Sequence, residues 1–264
     1  MQIEGSRVLL TGATGGLGQA IAKGLHARGA HLLLTGRKRE ILDSLAEEVG
    51  GEPFPADLGS RDDVAALPGR VGQVDILVHN AGLPGSGPFG DFTTEDIDRV
   101  LDVNLRAGIV LTHALLPAIR ERGRGHLVYI SSMAGMVPLV LAPLYSATKF
   151  GLRGFAGGLR DELHGTGIGV SAIFPGPIED AGMQAVSGVK TPAPRRRYPR
   201  DVAAAVVRAI ERNRAEVLVA DPIQRFGGLM AAAAPETAAK MRRLVKLRDV
   251  VEATVEGQRR AGKL

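Results

Sequence analysis

Arg7-Val8-Leu9-Leu10 runs straight into Thr11-Gly12-Ala13-Thr14-Gly15-Gly16-Leu17-Gly18, and the residues from Leu17 to Arg28 then carry an amphipathic pattern. A short apolar strand, a glycine-rich turn and a helix in that order make a cradle for an anion. Gly12, Gly16 and Gly18 let the backbone turn tightly and approach a pyrophosphate at the helix N-terminus, where free amides and the helix dipole favour negative charge. The spacing is G-x-x-x-G-x-G rather than the commoner G-x-G-x-x-G. A glycine-rich loop alone is equally an ordinary tight turn, and its position between the first strand and the first helix is what makes it a dinucleotide site. Thr14, Gly15 and Leu17 belong to the same cradle.

Outward from this unit the pattern repeats. Short β-rich apolar runs fall at Arg7–Leu10, His31–Thr35, Glu52–Pro55, Asp75–Val78, His126–Ser131, Gly169–Phe174 and Glu216–Val219. Amphipathic segments separate them at about Leu17–Arg28, Lys38–Val49, Arg61–Val71, Thr94–Arg122, Tyr145–His164 and Pro199–Asn213. Strands that read as continuous apolar runs, each followed by a helix, predict a parallel sheet covered on both faces. Right-handed crossovers then wind it doubly, giving an α/β fold with about seven strands. Thr93-Thr94-Glu95-Asp96 places hydroxyls and carboxylates where a helix start needs them. The expected organisation is one domain over residues 1–264, with a core at about 5–220, a mobile substrate loop at about 180–199 and a helical extension at about 221–264.

The end of the second strand meets the adenosine ribose in such a fold, and an acid there selects NAD whereas an arginine accommodates the extra phosphate of NADP. This chain has Gly36-Arg37-Lys38-Arg39, with no acid until Glu40. A carboxylate would repel a 2′-phosphate and Arg37 can grip it through a charge-assisted fork, so NADP(H) is favoured over NAD(H). Asp57-Leu58, after the third strand, suits an adenine contact and equally a helix cap.

Composition closes other routes. The chain has 264 residues, a formal charge of +5, no cysteine and no tryptophan. Disulfides, thiolate metal sites and cysteine nucleophiles are excluded. Scarce aromatics argue against a nucleic-acid stacking platform, and the basic clusters read as solvated faces. Neither a signal peptide nor an uninterrupted apolar run of membrane-spanning length is read, so a cytoplasmic location is expected. No histidine, aspartate or glutamate spacing implies a metal.

Tyr145-Ser146-Ala147-Thr148-Lys149 sets a phenol and an ammonium four residues apart on one helix face. Only about one free tyrosine in a thousand is ionised at neutrality, and a nearby cation is expected to lower its pKa and make it able to exchange protons at working pH.

Together these residues resemble the short-chain dehydrogenase/reductase family over about residues 5 to 220. Thr11 to Gly18 resembles its cofactor loop. His79-Asn80-Ala81-Gly82 resembles its Asn-Asn-Ala-Gly turn with histidine in the first place. Asn104, in Val103-Asn104-Leu105, falls at its helix asparagine. Ser132 lies thirteen residues before Tyr145, and Phe174-Pro175-Gly176 resembles its Pro-Gly element. The resemblance implies a Rossmann-like fold and hydride exchange between a nicotinamide and a carbonyl or secondary alcohol. Asn104, Ser132, Tyr145 and Lys149 would be catalytic: Tyr145 protonates the oxygen, Ser132 bonds it, Lys149 tunes the tyrosine and holds the ribose, and Asn104 holds a water of a proton relay. Asn80, Ala81, Gly82, Pro175, Gly176 and Ile178 would flank the cofactor with Tyr145 and Lys149. Asp180 stands where many members have a threonine that bonds the carboxamide.

Between Ser132 and Tyr145 the twelve residues from Met133 to Leu144 include no polar side chain. An apolar substrate wall is expected there, with Ser132, Met133, Val137, Leu139 and Tyr145 as contacts and Met183 from the following loop. The expected substrate is a hydrophobic carbonyl or alcohol of lipid, steroid or retinoid type. Two rivals are a 3-oxoacyl-thioester reductase, with Arg195 to Arg197 as a basic entrance, and a cofactor-binding regulatory protein without turnover. The resemblance also implies a homotetramer or dimer, packed through helices whose small residues include Gly151, Gly154, Ala156 and Gly157. The basic, Ala-rich tail carries an apolar set that would suit weak peripheral membrane contact.

Overall fold

The computed structural model describes residues 1–180, 196–244, 252–253 and 255–257. Seven strands form one parallel sheet: β1 Arg7–Thr11, β2 His31–Gly36, β3 Glu52–Pro55, β4 Ile76–His79, β5 Gly125–Ile130, β6 Ile168–Pro175 and β7 Glu216–Val219. Their order is β3-β2-β1-β4-β5-β6-β7, so the direction of winding reverses between β1 and β4. Crevices at such a reversal, outside the carboxyl ends of the strands, are where ligands bind in open α/β sheets.

Alternation along each strand feeds two cores. Val8 and Leu10 of β1 face one side, where they pack with Ile21, Leu25, Leu42 and Val206. Leu9 faces the other, with Leu67, Leu111, Tyr129 and Leu152. The first core lies under α1 Gly16–His26, α2 Arg39–Val49 and a helix at Pro199–Glu211; the second lies under α3 Arg61–Val71, Ala107–Glu121 and Pro143–Glu162. Each fully buried leucine contributes about 1.5–3 kcal/mol, so this two-sided burial dominates what holds the sheet together.

Local chemistry sets the element ends. The Ser60 side chain accepts from the Asp63 amide to cap α3, and Thr93 and Asp96 cap the next helix reciprocally. Gly50 ends α2 in the left-handed conformation with φ 59°.

One sequence expectation needs correction. Thr94–Arg122 is not a uniform α-helix: α4 Thr94–Leu101 passes through a π turn at Asp102–Arg106 into α5 Ala107–Glu121. The Ala107 amide reaches back five residues to the Asp102 carbonyl rather than four. Apolar periodicity is too coarse to register one inserted residue. Downstream, α6 spans Pro143–Glu162, α7 Pro199–Glu211, α8 Pro222–Ala233 and α9 Pro235–Leu244. Within the described residues the tail carries these two helices, the second ending at Leu244. Most of the expected mobile loop, residues 181–195, lies outside the described residues.

Candidate active site

The cradle is built from close backbone approaches that only glycine allows. A Cβ on Gly12, which has φ 65°, would lie 2.8 Å from the Ala81 Cα, and one on Gly18 would lie 2.2 Å from the Gly12 carbonyl oxygen. Gly15 caps α1 with no side-chain hydrogen bond, which leaves the first amides of the helix open to an anion. Gly36 admits the Thr14 side chain, whose methyl would sit 2.9 Å from a Cβ there. This geometry fits a dinucleotide. Gly12, Thr14 and Gly15 lie in the loop, and Gly16, Leu17 and Gly18 in the first turn of α1.

The cradle is stitched to the end of β4. The Thr11 Oγ1 accepts from the amides of Asn80 at 3.0 Å and Ala81 at 3.1 Å. Asn80 Nδ2 donates to the carbonyls of Thr11 and Gly12, both at 3.1 Å. Gly82 faces the catalytic group, since a Cβ there would lie 3.5 Å from Lys149 Nζ.

Arg37 and Lys38 stand exposed after β2. Asp57 lies within electrostatic reach of Arg37; burial pushes its pKa up, but the Gly59 amide, Arg99 and Arg37 together hold it below the usual value. Its carboxylate accepts from the Gly59 amide at 3.0 Å and pairs with Arg99 at 3.0 Å. Asp57 is thus already engaged in a turn and an ion pair. Leu58 is buried in the second core, so its side chain serves packing.

Ser132 follows β5 and opens a 3-10 turn at Met133–Gly135; its Oγ accepts from the Ala134 amide at 3.1 Å and lies 3.5 Å from the Pro175 carbonyl. The turn seats tightly on α6, because a Cβ on Gly135 would lie 2.6 Å from the Lys149 carbonyl oxygen. Tyr145 sits in the first turn of α6, with its phenol close enough to Ser132 for that side chain to lower its pKa. Lys149, one turn on, is 3% exposed; its Nζ lies 5.5 Å from the Tyr145 ring centre and donates to the Ile130 carbonyl at 2.9 Å. Ser132, Tyr145 and Lys149 therefore converge as predicted.

Their electrostatics differ from the expectation. Part of Tyr145 faces the cleft, yet the protein packed around its ring pushes the phenol up to about 12, with the Ser132 hydrogen bond pulling the other way. Burial also pushes Lys149 down to about 8. The lysine does not lower the tyrosine here, because its ammonium is directed at the Ile130 carbonyl and is itself desolvated. A lysine near 8 exchanges protons at working pH, which places the accessible titration on Lys149.

Asn104 is fully buried in the π turn. Its Oδ1 accepts from the Leu83 amide at 2.6 Å, and its Nδ2 donates to the Leu83 carbonyl at 2.9 Å and to Thr148 Oγ1 at 3.3 Å. The side-chain amide is thus a strut fixing the β4 turn against α6.

At the far wall, the Gly176 amide bonds the Val219 carbonyl at 2.9 Å, and buried Ile178 bridges to Arg197. Asp180 has φ 60°, a region aspartate tolerates better than a β-branched threonine. The apolar stretch divides: Ala134, Gly135, Met136, Ala142 and Leu144 are buried, Met133 and Val137 pack partly on the second core, and Leu139 and Val140 are each 43% exposed. Gly228 of α8 covers Met133, whose Cε would lie 2.9 Å from a Cβ there. Met183 lies outside the described residues. Sequence reasoning missed Thr11, the hub of the cradle, and Thr148; a threonine ending a strand gives no signal of the three bonds its hydroxyl makes.

A family model described as short chain dehydrogenase matches residues 6–190. The chain is 35% identical over 227 residues to "Ketoacyl reductase HetN" of a Nostoc species, covering 82% of this chain and 79% of the relative. It is 39% identical over 178 residues to "NADP-dependent 3-hydroxy acid dehydrogenase YdfG" of Salmonella typhi, covering 65% and 72%. Among solved structures, a short-chain dehydrogenase from Sphingobium yanoikuyae in complex with NADPH superposes with a TM-score of 0.75 at 29% identity, over 92% of this chain and 95% of that one.

Proposed function

The chain belongs to the short-chain dehydrogenase family, and from that premise we propose that it is an NADP(H)-dependent oxidoreductase that interconverts a carbonyl and a secondary alcohol. The observation that carries the reading is the convergence of Ser132, Tyr145 and the buried Lys149 beside a glycine cradle. When bound, NADP(H) supplies or accepts the hydride. The cradle would hold its pyrophosphate and Arg37 its 2′-phosphate; two relatives are an NADP-dependent dehydrogenase by name and a complex with NADPH.

The chain's own work is positioning and proton handling. The Ser132 and Tyr145 side chains are neighbours, so one substrate oxygen placed between them would be held by both hydroxyls. In the reductive direction Tyr145 gives its proton to that oxygen while Ser132 stabilises the developing charge. The high pKa of the phenol keeps that proton in place until the oxygen gains charge. Lys149, poised near 8, then returns a proton toward Tyr145.

For the substrate, the reading is a hydrophobic carbonyl or alcohol resting against Met133, Val137 and Leu139. A 3-oxoacyl thioester is the second reading, supported by the ketoacyl reductase among the relatives. Arg196, 3.9 Å from Glu179, and Arg197, held at the Ala220 carbonyl, are partly engaged for a basic entrance. A homo-oligomer is part of the proposal: a Cβ on Gly154 or Gly157 of α6 would meet nothing within 4 Å, whereas Gly151 and Ala156 pack inside the subunit.

The test is loss of 340 nm absorbance with NADPH and then NADH against hydrophobic carbonyls, a 3-oxoacyl thioester and sugar ketones. Turnover that prefers NADPH and vanishes in Tyr145→Phe supports the reading. Tight NADPH binding without turnover on any of them moves the chain to the regulatory class, and a sugar ketone as best substrate overturns the hydrophobic assignment.

A further inference from the structure

Beyond β7 the chain returns over the cleft. Asp221 accepts from the amides of Ile223 at 2.8 Å and Gln224 at 3.1 Å and so starts α8. The helix then presents two unlike faces. Ile223, Phe226 and Met230 are exposed, whereas Gly228 and Ala231 are buried and Gln224 is half-buried. The buried face meets the site at two places: a Cβ on Gly176 would lie 2.7 Å from Gln224 Oε1, and one on Gly228 would lie 2.9 Å from Met133 Cε. Further along, Val255 is buried, and a Cβ on Gly87 would lie 3.9 Å from its Cγ1. The Gly87 amide bonds the Leu141 carbonyl at 2.6 Å. The extension thus reaches the apolar stretch directly at Met133 and, through Gly87, at Leu141.

Glycine inside a helix is unfavourable relative to alanine, and α8 holds two in succession. Gly227 is exposed, and a Cβ there would meet nothing within 4 Å. Gly228 differs. The space that its missing side chain leaves is filled by the tip of Met133, which follows Ser132 in the 3-10 turn. Met133 is half-buried and confined on three sides: it packs on the second core, its tip lies under α8, and the buried Met136 approaches the same Cβ position with Sδ and Cε at 3.7 Å. A methyl at position 228 would meet the far end of a flexible side chain, so Met133 gives way and the helix does not. With the core and Met136 closing the other directions, it gives way toward the cleft.

We propose that Gly228 is a specificity-determining residue: it houses the Met133 thioether beneath α8, keeps it out of the space beside Ser132 and Tyr145, and so admits carbonyls that carry a bulky apolar group. This rests on the reading that Ser132 and Tyr145 hold the reacting oxygen.

Gly228→Ala and Gly227→Ala add the same methyl to neighbouring positions and gain the same helix propensity, so the second controls for the first. In the full-length protein with NADPH, kcat/KM is compared for a slim methyl n-alkyl ketone and a bulky branched or aryl ketone. Gly228→Ala is expected to lower the bulky-to-slim ratio about tenfold, with NADPH affinity and Tm not below those of the parent. Gly227→Ala is expected to keep the ratio within about twofold of the parent. Adding Met133→Ala to Gly228→Ala removes the side chain that is displaced, and the ratio should return to within about twofold of that of Met133→Ala alone. An unchanged ratio in Gly228→Ala, an equal shift in both alanine variants, a fall that persists without Met133, or an equal loss for both ketones together with Tm would each overturn the proposal. Should Gly228→Ala fail to fold, Met133→Ala alone decides: the ratio must rise about threefold, and no change refutes it. Turnover of neither ketone, or turnover that survives in Tyr145→Phe, would instead refute the site reading. The ¹³C methyl signal of Met133, assigned with Met133→Leu, then still tests the steric pair, because Gly228→Ala must shift it and Gly227→Ala must not.

Discussion

The cradle and the apolar wall face the same cleft and are held by opposite means. At the cradle, main-chain groups of Thr11, Gly12, Asn80 and Ala81 are fixed by four polar contacts of 3.0–3.1 Å, with no room for one extra methyl at Gly12 or Gly18. At the wall, Met133 to Leu144 lean on the second core and on α8 through side-chain packing, and Leu139 and Val140 remain open to solvent. Directional bonds fix a backbone to tenths of an ångström; apolar contact fixes a volume and tolerates reshaping. In the proposed reaction, cofactor binding would rest on the first and the choice among substrates on the second.

The largest test of that division is Tyr145→Phe, which is expected to cut kcat about a thousandfold while NADPH binding, measured by fluorescence titration, stays near the parent value. Gly18→Ala attacks the rigid side. Its methyl meets the Gly12 carbonyl, and a loss of about 3 kcal/mol in urea unfolding, together with lost NADPH binding, is expected. Arg37→Ser should lower the kcat/KM preference for NADPH over NADH by about tenfold or more without moving Tm.

Acid separates the regions more finely, because the wall has no titratable group and the cradle contains His79. Its folded pKa, about 3, lies below the ordinary value of 6.5, so the folded state binds fewer protons between those values. Its contribution is full above pH 6.5 and is lost as pH falls through that window toward 3. Chemical unfolding from pH 7 downward should therefore show a decline that His79→Asn flattens. The smallest effect belongs to Leu139→Ser, with stability within about 0.5 kcal/mol of the parent and KM for hydrophobic carbonyls raised about threefold.

The same division governs how much was legible in the sequence. All seven strands, the glycine loop and the Tyr145–Lys149 spacing are visible from residue types, because continuous apolar runs and obligatory glycines leave a direct mark on the chain, whereas Ser132 is found through the family resemblance. The direction of the Lys149 ammonium is not. Spacing puts it on the tyrosine's face, but only three-dimensional packing sends it to the Ile130 carbonyl and desolvates both groups. Nor does the sequence separate Gly151, which fits against Leu105, from Gly154 three residues on, which touches nothing. The roles of Thr11 and His79 depend on bonds spanning about seventy positions, as between Thr11 and Asn80, and leave no local trace.

The π turn at Asp102–Arg106 has a consequence for any attempt to shorten this chain. One added residue in a helix rotates everything beyond it by about 100° relative to an uninterrupted spiral. On the near side of the insertion Arg99 meets Asp57; on the far side Leu111 and Leu115 enter the second core. Both engagements depend on that angular offset. Removing any single residue from the turn would straighten the spiral and swing Arg99 away from Asp57, so that a deletion in the segment that carries Asn104 would be felt as far away as the loop after β3.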